Sequence, residues 1–178
     1  CKYNLADFDI EVSWIAEGPL EESFALLMQS NFTQLGIKSH IKKLPWALFA
    51  EQVSKPENTP HISQLFVNAV TGDPDTLLYG MYHSSTPGTW QSPEYLSDAE
   101  VDAHLEAGRT GANDAARETA YASLNARLMA IAPTIYGFDR QSVFAASNRV
   151  SVPALSDPSM AFGLDGMGFS FRLMEMVE

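Results

Sequence analysis

The run Asp9-Ile10-Glu11-Val12-Ser13-Trp14-Ile15 alternates polar and apolar side chains, the two-residue period of a strand with one face buried. Gly18-Pro19 ends it. Leu20, Phe24, Leu27, Met28 and Leu35 then recur at three-, four- and seven-residue steps, so residues 19–35 read as an amphipathic helix. Pro19, Glu21 and Glu22 suit its first turn, and Gly36 closes it. Residues 37–44 return to strand, and Trp46 to Val53 form a short helix behind Pro45. Strand, helix, strand, helix is the order of an α/β unit.

Working outward, Lys55 to Pro60 reads as a loop, Ile62 to Val70 as a buried strand, and Thr71 to Asp75 as the turn that leaves it. A helix from Pro74 to Tyr82 follows, then a turn-rich stretch, 84–93, around Trp90. Ser97-Asp98-Ala99-Glu100 has the form of a capping box and opens a helix to Ala107, which Gly108 to Gly111 break. Asn113 caps a longer helix whose Tyr121, Leu124, Leu128 and Ile131 form one apolar stripe, stopped at Pro133. Strands are expected over 134–138, 142–146 and 168–177. The fold class is α/β, a mixed sheet with flanking helices, in a single domain over 1–178. Its binding edge is expected where strands end in loops, which includes Val67 to Asp73.

The 178 residues carry 22 acidic and 11 basic side chains, a net charge of −11, with 46% hydrophobic residues. That composition supports a folded chain with a substantial core. Lys42-Lys43 is the only adjacent basic pair, so the counterion-displacing stripe that nucleic acid requires is lacking. No run of about 18 residues is free of charge and turn residues, so no helical membrane span is expected. Cys1 to Asp9 lack the basic-then-apolar order of an export signal, and the single cysteine, Cys1, offers neither an internal disulfide nor a metal cluster.

Catalytic signatures are sparse. No Gly-x-Ser-x-Gly elbow occurs, and His40, His61, His83 and His104 stand about twenty residues apart, without the short spacing of a zinc site. Gly163 to Gly168 has glycines in the wrong order for a nucleotide loop, and no cofactor is expected. Asp73-Pro74-Asp75 admits two readings. Its carboxylates resemble the Asp-x-Asp that holds a divalent ion and a sugar nucleotide in some glycosyltransferases, or else Asp73 simply caps the helix that Pro74 starts. Trp14, Trp46 and Trp90 offer flat apolar surfaces for a ligand.

Several short runs in fixed order resemble the C-terminal lobe of family 5 bacterial extracellular solute-binding proteins, the dipeptide- and oligopeptide-binding components of ABC importers. They are Gln34-Leu35-Gly36-Ile37, Leu44-Pro45-Trp46, Gly72-Asp73-Pro74-Asp75 with Leu77, and Tyr82-His83-Ser84-Ser85. Ser92-Pro93-Glu94, Glu100-Val101-Asp102 before Leu105, and Arg117 to Pro133 complete the set. The match extends over roughly residues 9–150. It implies one lobe of a two-lobed, type II periplasmic-binding fold, with an N-terminal lobe of the same protein as its partner. It further implies no catalysis, a peptide or small-molecule ligand, an ABC permease in the membrane, and a periplasmic or extracellular location. By the same resemblance the ligand contacts are Trp46, Phe66, Asn68, Val70 and Thr71, with Trp14 a further candidate. The chain departs from peptide binders where these carry a tryptophan and an ammonium-holding aspartate, because Val67 and Val70 stand there. Basic residues that clamp a peptide carboxylate are likewise replaced by Ile15, Val53 and Gln64, which opens the ligand class to sugars, longer peptides and opine-like compounds.

Overall fold

The computed structural model describes residues 7–18, 20–68, 72–138, 145–153 and 174–176. They contain β1 (Asp9–Ile15), α1 (Glu21–Gln34), β2 (Lys38–Leu44), α2 (Trp46–Gln52), β3 (Ile62–Gln64), α3 (Asp75–Tyr82), α4 (Ala99–Thr110), α5 (Asp114–Ile131), β4 (Val150–Ser151) and β5 (Glu175–Met176). The chain divides into two compact units, one of residues 1–67 and 80–104, the other of residues 68–79 and 105–178.

In the first unit β1, β2 and β3 form a parallel sheet in the order β2-β1-β3. Among the described residues the antiparallel strand pair is the β4-β5 ribbon of the second unit, and an isolated antiparallel bridge joins Thr89 and Ser92 in the first. Parallel neighbours need crossovers, and α1 supplies the one between β1 and β2. Alternation along β1 sends Val12 and Trp14 to one face, where Ala25, Met28 and Phe32 of α1 cover them together with Ile10, Ile41 and Ile62. Ile15 points to the other face and packs with Leu44, Phe49, Val53 and Leu65. Phe49 is fully buried, and withdrawing such a side chain from water contributes about 2–3 kcal/mol. Helix α1 ends at Gly36, whose φ of +75° turns the chain so that the Ile37 N–H reaches the Phe32 carbonyl at 2.8 Å.

The 84–95 stretch folds back along α2. Tyr95, at φ +52°, donates its hydroxyl to the Val53 carbonyl at 2.7 Å. Helix α4 is capped by Asp98 and not by the expected Ser97, because the Asp98 carboxylate accepts from both Glu100 and Val101 N–H, at 3.1 and 3.0 Å.

In the second unit the Asn113 side chain accepts from the Ala116 N–H at 2.9 Å and caps α5, as its sequence suggests. Tyr121, Leu124 and Leu128 are buried along α5, and Ala132 leaves the helix in the left-handed region just before Pro133. Gly108, expected to break α4, lies inside it. A Cβ there would sit 2.7 Å from Cζ of Tyr121, so the glycine lets that ring lie against the helix backbone. Residues 134–138 form no strand. Ile135, Tyr136 and Phe138 are more than half exposed there, so no burial rewards pairing. Of the other two expected strands, residues 142–144 lie outside the described residues, and within 168–177 the described part carries β5.

Candidate functional site

In a parallel sheet ligands are held beyond the carboxyl ends of the strands, at the point where the connections run to opposite sides. Here β2 lies on one side of β1 and β3 on the other, so that point is between the ends of β1 and β3. The last rung between them pairs Trp14 with Gln64. Beyond it the strands part. A strand over Ile62 to Val70 is expected from the sequence, yet β3 stops at Gln64, and residues 65–68 carry no strand.

Glu21 opens α1 and is only 5% exposed. Its Oε2 accepts the Ile15 N–H at 2.7 Å. Burial raises its pKa, the backbone N–H groups of Ile15 and Phe66 oppose that rise, and the charge of Glu17 adds to it. Gly18 makes the position available, since a Cβ there would lie 2.6 Å from Cδ of Glu21. Sequence reasoning treated Glu21 as a complement to the helix dipole. Its position three residues after Gly18, just past a strand end, is the signal that it turns inward.

Trp46 starts α2 and is 41% exposed; its N–H donates to the Glu17 carboxylate at 3.2 Å. Trp90, 37% exposed, meets it edge-on with ring centroids 5.3 Å apart, and Phe49 lies beneath at 6.0 Å. Such an aromatic contact contributes about 0.5–1.5 kcal/mol beyond area burial. The pair offers a fixed apolar face to solvent, and Trp90 joins it through the fold of 84–95 rather than through nearness in sequence. Phe66 is half-buried on the strand exit, whereas Asn68 is exposed and belongs to the second unit. Val70 and Thr71 lie outside the described residues. Trp14 is 5% exposed within the α1 face of the sheet, with Lys43 Nζ 4.8 Å from its ring centroid, so the structure gives it a core position.

One further carboxyl of the first unit is perturbed. Burial pushes Glu94 up to about 7, against a smaller opposing effect of its own N–H, and its Oε1 has no hydrogen-bond partner among the described residues.

The Asp73-Pro74-Asp75 turn follows the capping alternative. Asp73 Oδ1 accepts the Asp75 N–H at 2.9 Å, and Nη2 of Arg117 binds both Asp73 oxygens. Asp75 is held by Arg109 through Nε at 3.0 Å and Nη2 at 3.1 Å. Both carboxylates are thus neutralised by guanidinium groups, and no group of three or more His, Cys, Asp or Glu among the described residues is placed to hold a metal ion. The glycosyltransferase reading has no support in this arrangement. Beside it, Pro74, Asp114, Arg117, Tyr121 and Asn125 line a shallow surface depression.

No protein-family model matches the sequence, and no curated protein does. Solved structures do match. A dipeptide-binding protein from Pseudoalteromonas in complex with Met-Leu is 21% identical, with a TM-score of 0.62 over 71% of this chain and 25% of its own. The periplasmic binding protein DppA from Helicobacter pylori, in complex with the peptide STSA, is 18% identical with a TM-score of 0.61 over 71% and 24%. NikZ from Campylobacter jejuni, in complex with Ni(L-His), is 23% identical with a TM-score of 0.59 over 70% and 25%. The chain shares the fold of a solute-binding-protein lobe. It spans about a quarter of the length of these proteins.

Proposed function

We propose that this chain is a ligand-binding lobe of the extracytoplasmic receptor of an ABC importer, which captures a peptide or related small solute by lobe closure and delivers it to a membrane permease. The observation that carries the reading is the shared fold, at TM-scores near 0.6, with receptors solved in complex with Met-Leu, STSA and Ni(L-His). The lobe performs no chemistry; its task is to present fixed groups to a solute and to meet its partner lobe across it. In this reading Trp46 and Phe66, at the carboxyl ends of the strands of the first unit, are proposed ligand contacts; Asn68, Val70 and Thr71 stay candidates by their place in the sequence, and Trp14 supports the site from the core. Val67 and Val70 in place of an aromatic ring and an aspartate favour a ligand that does not depend on a clamped ammonium, such as a peptide held by its backbone or a sugar.

The test is a thermal-shift titration of the full-length protein with Met-Leu, an end-blocked tetrapeptide, sugars, opines and nickel-histidine, and separately with Mn²⁺ plus a nucleotide sugar. At a ligand concentration of about one hundred Kd, native-state binding adds roughly 2.7 kcal/mol, which raises Tm by several degrees. A rise with any of these solutes supports the reading. No rise with any, or a rise only with Mn²⁺ and a nucleotide sugar, rejects it.

A further inference from the structure

We propose that Trp90 is a specificity-determining ligand contact and Tyr95 its positioning residue. Trp90 and Trp46 then form one fixed aromatic corner for a C–H-rich group of the solute, either the apolar face of a sugar ring or an aliphatic side chain. The inference deepens the reading of this lobe as half of a solute cleft and rests on it.

Trp90 stands at the tip of a tight turn. The Gly88 N–H donates to the Ser92 carbonyl at 3.2 Å, the Ser92 N–H donates to the Thr89 carbonyl at 3.1 Å, and Ser92 is buried at the base. Tyr95 fastens that base to the helix that carries Trp46. Its hydroxyl donates to the Val53 carbonyl, just past the end of α2, at 2.7 Å. A Cβ on Gly88 would come within 2.9 Å of the same hydroxyl oxygen, so the turn packs directly on the tyrosine. Tyr95 itself stands at φ +52°, in the left-handed region that a tyrosine rarely occupies. Strain of this kind persists only where the surroundings enforce it, and it clusters at ligand clamps. The other wall is tied down separately, because the Trp46 N–H donates to the Glu17 carboxylate and Phe49 lies beneath the Trp46 ring.

Both tryptophans remain exposed, with their planes inclined at 64°. Aromatic faces are electron-rich and attract the weakly positive hydrogens of C–H groups, and a corner of two rings meets such a group on two sides. Since both walls are fixed before a solute arrives, little side-chain freedom is lost on contact.

The experiment uses the full-length protein and its Trp90→Leu and Tyr95→Phe variants. Calorimetric titration with Met-Leu and with cellobiose separates the side-chain source from the sugar source. The probe that binds the wild type is expected to bind Trp90→Leu about tenfold more weakly, since leucine keeps apolar bulk but has no ring face. Tyr95→Phe, which loses only the hydroxyl, is expected to weaken the same probe. Circular dichroism reads the positioning without any ligand. Indoles with centroids 5.3 Å apart give an exciton couplet, isolated as the difference between the wild type and Trp90→Leu. That couplet is expected to weaken in Tyr95→Phe while the helix signal stays unchanged. Should Trp90→Leu fail to fold, Tyr95→Phe decides, because it moves Trp90 without altering it. A probe that binds Trp90→Leu as tightly as the wild type overturns the proposal and leaves the receptor reading standing. So does a wild type that binds nickel-histidine or an opine but neither probe. A wild type that binds no solute overturns both. An unchanged couplet in Tyr95→Phe overturns the positioning role.

Discussion

Nη2 of Arg117 lies 2.6 Å from Oδ1 and 2.7 Å from Oδ2 of Asp73, while Nη1 of the same guanidinium donates to the Gly108 carbonyl at 2.8 Å. One side chain of α5 therefore fastens both the turn before α3 and the last turn of α4. The Asp75 N–H and, after it, Arg117 hold the Asp73 carboxyl below the usual carboxylate range. A depressed carboxyl contributes stability above its unfolded pKa, and that contribution is lost as pH falls through the folded value. Asp73→Asn is expected to have a lower Tm than the wild type at pH 7, with the difference closing as the pH is taken into the acid range. In an Arg117→Ala background the same substitution is expected to cost less, and a double-mutant cycle measures that coupling.

Two glycines in helices are expected to respond in opposite ways to alanine. Gly108→Ala drives a methyl group into the Tyr121 ring at 2.7 Å, and such overpacking costs about 1–3 kcal/mol. At Gly80 the nearest atom to a new Cβ is the Gln91 Oε1 at 3.0 Å, the free end of a flexible side chain. Gly80→Ala is therefore expected to gain about 0.5–1 kcal/mol from helix propensity. Urea unfolding of both variants gives the two signs.

Trp46 and Trp14 separate contact from core. Trp46→Ala, at an exposed position, is expected to change stability by about 1 kcal/mol or less while weakening ligand binding about tenfold. Trp14→Ala empties a buried site and is expected to cost about 3–5 kcal/mol. Denaturation and ligand titration on the same samples show whether the two losses divide in this way.

Glu94 gives the stability curve a slope of known sign. With its folded pKa at about 7, above the ordinary 4.5, the native state holds the proton more tightly than the unfolded chain. Its favourable contribution is complete below pH 4.5 and declines as the pH rises to 7. After allowance for partial solvent screening, Glu94→Gln is expected to be more stable than the wild type by about 2 kcal/mol above pH 7. Chemical denaturation at pH 4, 6 and 8 measures the difference.

The bounds of β1, and those of α1, β2 and α2 to within two residues, are legible from period and punctuation, because one-sided burial imposes a hydrophobic rhythm on each element. Local pattern is silent on what a distant residue does to an element. Nothing near Gly108 announces that Tyr121 will lie against it, so a helix-breaking residue is read where a packing residue stands. The apolar run after Gln64 reads as strand, although β3 ends there and residues 65–68 leave the sheet. The candidate site divides in the same way. Trp46 stands out as a large aromatic at a helix start, whereas its pairing with Trp90 and the inward turn of Glu21 arise only when the 84–95 stretch and the β1–α1 turn have folded.

The central place of β1 has a kinetic side. It is the first strand of the sheet in the chain, yet its partners arrive later, β2 after a whole helix and β3 last, with Glu11 and His61 meeting across fifty residues. Contacts so distant in sequence form slowly, since a long loop must close before any of them is rewarded. Until then an apolar strand carrying Val12, Trp14 and Ile15 has open edges on both sides, and refolding at high protein concentration will set its pairing with β2 and β3 against pairing with the same strand of another molecule.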